Sequence, residues 1–537
     1  MKRKMGKRVI SVAMVGLMAT GVLNGCGENN KKEGTSQQEN QKVSEGQGND
    51  SSGDKKEISI TILERGKCPA EEGTMEENRW TQWINENSPV KVKWVPVPRT
   101  ESVAKINALF ASGEAPDLVW EFGKNFMDNL IQQGVVQPVG EYVETYSTEY
   151  KAYLEEHKEL LPYITSSTDG QMYGMTSART PLNTANHGMW IRKDWLDQLG
   201  LEMPKTMDEL YEVALHFVTD DPDQNGQDDT FGITFNYNFY TIMKTLYGQP
   251  DNNMQVVDGK LEDWIGSQAY KDCFTMLKQM YENGILDPEF VTDTNYEKQR
   301  QNLVTGKAGI YMAGWDCQAE WKELKQNVPE AELVPLEPVE TSYGKFGLYQ
   351  EPPALSMICM NKDASDPQAC MEFLDWLMTD GWFPLKYGIE GENYELVDGV
   401  AQAIDAEKNE KELAYANEYA IVSAEEIDDV ETYMKVTAAK DEPSQQYVDY
   451  RISALETAMK NPFPRDIPYL PSTELSSKFN SDFSETLTSI EVRMISDPDY
   501  SVEEGISEIN NEKEILGFSE VMEERNVWYE ENKDSFQ

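Results

Sequence analysis

Nine consecutive residues, Asp221-Pro222-Asp223-Gln224-Asn225-Gly226-Gln227-Asp228-Asp229, supply oxygen at loop positions 1, 3, 5, 7 and 9, with glycine at position 6. A hard cation needs this alternation: oxygens from every second residue wrap the ion, and glycine makes the sharp turn. Calcium is the ion the spacing points to. Asp221, Asp223 and Asn225 would bind through side chains and Gln227 through its carbonyl. Asp229 would bind directly or through water, and Asp228 could serve as well. Position 12, which a bidentate Glu fills in a helix-loop-helix calcium site, is Gly232. A paired site of that kind is therefore not expected. With no nucleophile nearby, a bound ion would be structural. The plainer alternative is an Asp/Asn/Gly-rich surface turn after a helix ending near Thr219.

Other site chemistries find little support. The six cysteines are Cys26, Cys68, Cys273, Cys317, Cys359 and Cys370, with no C-x-x-C pair. Neither a disulfide framework nor a structural zinc site is expected. The three histidines, His157, His187 and His216, stand in unrelated contexts, none of them H-E-x-x-H. Nucleophile-elbow, dinucleotide and phosphate-loop patterns do not occur.

The chain has 537 residues, 39% of them hydrophobic, enough for more than one globular domain. Lys and Arg number 48 against 95 Asp and Glu, a net charge of −47. Nucleic acid is excluded as a partner, because its binding rests on phosphate neutralisation by basic side chains. An anionic lipid surface is disfavoured on the same ground. Lys2, Arg3, Lys4, Lys7 and Arg8 precede a mostly apolar run from Val9 to Gly25, too short to span a membrane comfortably. Residues 1–25 therefore read as a secretory signal. Leu23-Asn24-Gly25-Cys26 resembles the bacterial lipobox, which makes Cys26 the expected lipidated first residue. From 27 to 56 the only apolar side chain is Val43, so 26–56 reads as a disordered tether reaching about 30 Å. Without the five basic residues of the leader, the net charge falls from −47 to −52.

The body reads as α/β. Ile58, Ile60 and Ile62 alternate with polar residues, as do Val90, Val92 and Trp94. Both are strand patterns, and Met75–Asn87 between them is helical in composition. The β-α-β unit implies parallel pairing with a right-handed crossover. A helix over Val103–Ser112 and a short strand in Ala115–Trp120 follow. Thr206 with Glu209, and Ser501 with Glu504, form capping boxes. Asp366-Pro367 starts a further helix.

Four motifs then carry a resemblance: Ala115-Pro116-Asp117-Leu118-Val119-Trp120, Trp190–Leu201, Gly306–Trp315 and Tyr387–Tyr394 closed by Asp398-Gly399. In this order behind a lipobox, the chain resembles the family 1 extracellular solute-binding lipoproteins, the capture subunits of carbohydrate ABC importers. The resemblance implies a two-lobe periplasmic-binding-protein-like (type II) fold with the ligand between the lobes. It implies crossings near Gly174–Ala178 and Glu351–Pro353, lobe 1 over 57–177 with a return over 353–385, and lobe 2 over 178–352. The mainly helical 386–537 would complete lobe 2. It also implies ABC permease partners, a monomer, a place on the outer face of the cell membrane, and closure of the lobes on a carbohydrate. The size of the body favours an oligosaccharide. Some members carry calcium in a loop of this kind, with the last ligand taken from elsewhere.

A sugar offers apolar C–H faces and a rim of hydroxyls, which suit aromatic rings and carboxylates respectively. Trp120 and Glu121 follow a strand end, where α/β sheets place ligands. Trp315 and Asp316 follow the strand Gly309–Met312, and in related binders an aromatic there stacks on sugar. Trp382, Trp190, Glu392 and Tyr394 complete the candidate set, with His187 just beyond the first crossing. For each Trp the alternative is core or interlobe packing; Glu392 and Tyr394 could instead brace the hinge. Trp195 and Trp376 sit in apolar stripes and read as core. The competing functions are a secreted glycoside hydrolase, for which the sequence offers no motif, a binder of another solute, and a surface sensor.

Overall fold

The computed structural model describes residues 55–235, 240–293, 296–426, 430–437 and 442–536. Cys26 and the signal segment lie outside them. Alternating apolar side chains give the first strands where the pattern predicts: Glu57–Glu64 buries Ile58, Ile60 and Ile62, and Lys91–Pro98 buries Val92, Trp94 and Val97. They pair in parallel, Ile60 opposite Trp94. The helix between them starts at Arg79 rather than Met75. The Asn78 side chain accepts the N–H groups of Trp80 and Thr81, which sets the start there. Likewise the predicted 115–120 strand begins at Leu118. Asp117 is held ahead of it, its carboxylate accepting the N–H and hydroxyl of both Ser59 and Ser365.

Five strands form the first sheet, in the order Lys91–Pro98, Glu57–Glu64, Leu118–Phe122, Ser356–Met360, Gly174–Met175. Ser356–Met360 runs antiparallel to both of its neighbours. The second sheet has the order Leu333–Pro335, Gly188–Arg192, Ala308–Ala313, Phe231–Thr234. Its central strand Ala308–Ala313 is buried on both faces. The helix Met207–Thr219 flanks it and opens with the capping box of Thr206 and Glu209. Helices Glu474–Ser496 and Val502–Ile515 pack on the same side of the molecule's second core.

Apolar side chains fall into two cores, one at each sheet, within one compact unit, Asp54–Gln537. The stretch 386–424, expected with the second half, packs instead into the first core through Tyr415, Tyr419, Ile421 and Val422. Tyr419 explains why. Its ring meets Trp94 edge-on at 4.9 Å, and its hydroxyl donates to the Met75 carbonyl and accepts from Asn78.

Two chain crossings join the sheets, and they bond to each other. Arg179 N–H donates to Pro353 O at 2.8 Å, Glu351 N–H to Thr184 O at 2.7 Å and Asn186 N–H to Tyr349 O at 3.3 Å. The resulting ribbon meets the first sheet at the carboxyl end of Leu118–Phe122, where Ser356 lies opposite Phe122. It meets the second at the carboxyl end of Ala308–Ala313, where Gly188 lies opposite Ala313.

Gly188 has no room for a side chain: a Cβ would lie 2.6 Å from Trp315 Cα and 2.9 Å from the Gly314 oxygen. Those are backbone atoms, so Gly188→Ala must displace the 314–315 turn. The expected cost is about 1–3 kcal/mol in urea unfolding, together with weaker ligand binding. An unchanged midpoint would show that the two segments are not rigidly apposed. His187 beside it is 9% exposed, and burial pushes its imidazole down to about 4. The unfolded side chain titrates near 6.5, so the unfolded state takes up the proton first as pH falls. Stability present above pH 6.5 should therefore be lost as pH falls toward 4, by up to about 3 kcal/mol. A His187→Asn variant should flatten that part of the stability profile; an unaltered slope would assign it to other groups.

Candidate functional site

At the first sheet's end of the ribbon, Trp120 and Glu121 lie within strand Leu118–Phe122 rather than past its end, and Trp120 is buried in the first core. Glu121 is 2% exposed. Its Oε1 accepts the Phe122 N–H at 2.8 Å and lies 3.5 Å from Arg99 Nη1. Its Oε2 and the Trp120 Nε1 are buried without a hydrogen-bond partner among the described residues. Trp120 meets Phe122 edge-on at 5.7 Å. The Arg99 guanidinium covers the Phe122 ring at 4.8 Å, and Arg65, 5.7 Å from the same ring, pairs with Glu418 at 2.7 Å. One edge thus gathers aromatic faces, a carboxylate with an unused acceptor and two guanidinium groups.

At the other end the turn Gly314–Asp316 follows the strand Ala308–Ala313. Arg451, from the helix Glu442–Ala458, lies over the Trp315 ring at 5.4 Å and pairs with Asp316 at 2.8 Å. Trp190 sits beneath rather than beside them. It is fully buried, donates its indole N–H to Gly314 O at 3.1 Å and stacks on Tyr450 at 5.3 Å. Its place is the wall that holds the turn. Trp195 and Trp376 are buried in the two cores.

Between the two ends the ribbon carries Arg179, Asn186, His187 and Glu351. Asn186 Nδ2 donates to Glu351 Oε1 at 3.1 Å. Arg179 Nη2 donates to the Asn183 carbonyl. Burial pulls the Arg179 guanidinium down, with Glu351 partly offsetting it. His187 lies 5.6 Å from the Tyr349 ring.

The remaining candidates form a separate group on the first core. Trp382, half-buried, contacts Phe383 at 5.4 Å, and Phe383 contacts Tyr394 at 5.7 Å. Glu392 is exposed, and its carbonyl accepts from Lys408 Nζ at 3.0 Å. The Asp221–Asp229 loop precedes strand Phe231–Thr234, whose start pairs with Ala308. That is the opposite edge of the second sheet from Trp315. In the loop, Asp221 accepts the N–H groups of Asn225 and Gly226 at 3.1 and 3.0 Å. Asn225 Nδ2 bridges Asp223 and Asp229 at 2.8 and 3.0 Å. Burial, with Asp221 and Asp229 close by, raises the Asp223 carboxyl, whereas the hydrogen bond from Lys307 lowers that of Asp229. Among the described residues no three His, Cys, Asp or Glu side chains gather closely enough to hold a metal. The loop nonetheless fits a hard cation in donor type, because a donor already draws two of its carboxylates together.

Arg99, Arg179 and Arg451 escaped the sequence pattern. Arg99 follows a strand running parallel to Glu57–Glu64, so the rule that found Trp120 would also have found it. Arg179 stands one residue past the predicted first crossing. Arg451 lies in mid-helix and has no local signal.

Comparison with known proteins accords with this geometry. A model of the bacterial extracellular solute-binding protein family matches residues 73–382. The chain is 30% identical over 402 residues to the polygalacturonan/rhamnogalacturonan-binding protein YtcQ of Bacillus subtilis (strain 168), covering 72% of this chain and 74% of that one. Its fold matches an extracellular solute-binding protein from Bifidobacterium longum subsp. infantis with a TM-score of 0.70 at 16% identity, over 89% of this chain and 98% of the other. It also matches the EF-hand mutant of the Streptococcus pneumoniae ABC-transporter substrate-binding protein FusA, in complex with fructo-nystose. There the TM-score is 0.66 at 17% identity, over 89% of this chain and all of that one. The architecture is that of the type II periplasmic solute-binding proteins. With a family match over more than half its length and a relative of this identity, the chain belongs to the bacterial extracellular solute-binding protein family.

Proposed function

We propose that this protein is a non-catalytic capture subunit, held outside the cell membrane by a lipid on Cys26, that delivers an oligosaccharide to an ABC importer. One observation carries the reading. Trp120–Glu121 with Arg99, and Trp315–Asp316 with Arg451, stand at opposite ends of the hydrogen-bonded ribbon that joins the two sheets. Each sets a largely buried indole ring beside charged hydrogen-bonding groups, the residue types a sugar ring requires. Bending at the ribbon would bring the two clusters onto opposite faces of one ligand, a hinge closure driven by binding. The relatives support the cargo class, since YtcQ is named for pectic polysaccharides and FusA was seen with a fructo-oligosaccharide. In this reading Trp120, Glu121, Trp315 and Asp316 touch the ligand. Trp190 backs Trp315, and Trp382, Glu392 and Tyr394 brace the first lobe at the edge of the cleft.

The Asp221–Asp229 loop is assigned to structural calcium, held by Asp221, Asp223, Asn225, the Gln227 carbonyl and Asp229. The ion would neutralise clustered carboxylates and fix the turn ahead of strand Phe231–Thr234.

Thermal unfolding of the chain from residue 27 against a panel of oligosaccharides tests the capture reading. A cargo at a hundred times its Kd should stabilise by roughly 2.7 kcal/mol and be recovered uncleaved. Trp315→Ala should weaken that binding on the order of tenfold or more. Cleavage of the sugar would replace the reading with a hydrolase; no shift with any sugar would turn it toward another solute or sensing. For the loop, calcium added after EDTA should raise Tm in the parent and not in Asp223→Ala. Identical melting in EDTA and in calcium would remove the ion from the assignment.

A further inference from the structure

Away from the ribbon, the helices Met207–Thr219 and Gln268–Glu282 and the segment after strand Leu333–Pro335 surround an open pocket of about 640 Å³. None of the candidate sugar-binding residues lines it. Its wall is fixed by backbone: Met207 N–H donates to Glu340 O at 2.9 Å, and Glu340 N–H to Lys205 O at 2.8 Å. Asp208, Asp272 and Glu340 stand around the pocket, and no lysine or arginine lines it. Asp272 accepts from Gln268 Nε2 at 2.7 Å and from the Tyr343 hydroxyl at 2.6 Å. None of the three acids is in an ion pair among the described residues. Asp208 suits the first turn of its helix. Asp272, a turn further into the other helix, and Glu340, outside any helix, have no such reason to be there.

Tyr247 gives an independent pointer to a ligand. It is 6% exposed and lines the pocket, with its ring 6.2 Å from that of Tyr343. Its hydroxyl makes no hydrogen bond among the described residues and is not sealed in the core, so the side chain's one polar atom faces the pocket. Burial, followed by Cys273, Asp272 and Asp208, raises the phenol well above its ordinary value. The oxygen therefore stays a neutral hydroxyl with lone pairs to offer. The carboxylates do not converge on one point: among the described residues no three acids gather closely enough to hold a metal. A cation that meets them has to be extended, with positive centres spaced along an apolar chain. Met207 and Met276 line the same pocket and suit methylene groups.

We propose that this pocket binds a linear aliphatic oligoamine, with Asp208, Asp272 and Glu340 taking its ammonium groups and the Tyr247 oxygen accepting an N–H from one of them. Ammonium–carboxylate hydrogen bonds are charge-assisted, and tyrosine faces attract a cation. The site is separate from the sugar clusters and does not depend on the capture reading.

The test is calorimetric titration of the chain from residue 27 with spermidine, putrescine and Mg²⁺, in salt that screens surface charge beyond roughly 10 Å. Spermidine should bind at one site, more tightly than putrescine and more tightly than Mg²⁺. Asp208→Asn combined with Asp272→Asn, checked for unchanged melting, should weaken spermidine on the order of tenfold or more. Tyr247→Phe keeps every charge and should still weaken it about threefold to tenfold. Trp315→Ala should leave it unchanged. Diffuse attraction to the acidic surface would give many weak sites indifferent to Tyr247→Phe, and that result overturns the inference. So does Mg²⁺ binding as tightly as spermidine, loss of spermidine in Trp315→Ala, or no binding of any amine.

Discussion

The backbone pairing of the two crossings is the constraint on which the rest depends. Three hydrogen bonds, from Arg179, Glu351 and Asn186 to Pro353, Thr184 and Tyr349, turn two independent linkers into one ribbon. A single linker would leave the sheets free to swivel. A bonded pair restricts them to bending about one line. Both ends of that line are fixed by strand register, Ser356 against Phe122 and Gly188 against Ala313. The aromatic and charged side chains at the two carboxyl edges are therefore aligned by main-chain geometry before any ligand contributes. That is preorganisation, which lowers the ordering cost of binding.

Other segments pass between the cores and limit the bend. The hairpin Met254–Val257 with Lys260–Asp263 buries Met254 and Leu261 in the first core, although Tyr247 and Trp264 on either side belong to the second. The last helix, Phe518–Asn532, buries Val521 in the second core and Trp528 in the first. Asn526 ties these two segments, accepting from Leu261 N–H at 2.9 Å and donating to its carbonyl at 3.1 Å. Any bend of the ribbon would have to slide the apolar contacts of these straps. Methionine at such a contact suits the demand, since its unbranched chain repacks at low cost.

Much of this architecture is legible in the sequence because it is local. Ile58, Ile60 and Ile62 declare a half-buried strand, and Thr206 with Glu209 declares a helix start, without reference to anything distant. The misplacements have two physical causes, one local and one distant. The helix expected at Met75 starts at Arg79 because Asn78 caps it, a local signal. Residues 386–424 join the first core because the Tyr419 ring fits against Trp94, more than three hundred positions away in the chain. Trp190 and Trp315 look alike as residues next to strands and glycines. Both are buried in the second core, and how they sit against each other depends on a register between Gly188 and Ala313 that no local pattern specifies. Arg451 reaches Asp316 from mid-helix by the same kind of distant fit.

Charge separates what composition says from what the site does. Excess acid over the whole surface keeps the body soluble and repels polyanions at long range, yet that field is screened beyond roughly 10 Å in ordinary salt. Inside the gap each carboxylate at the sheet edges meets an arginine, Glu121 with Arg99 and Asp316 with Arg451. These pairs cancel, so the edges present hydrogen-bonding groups with little net charge.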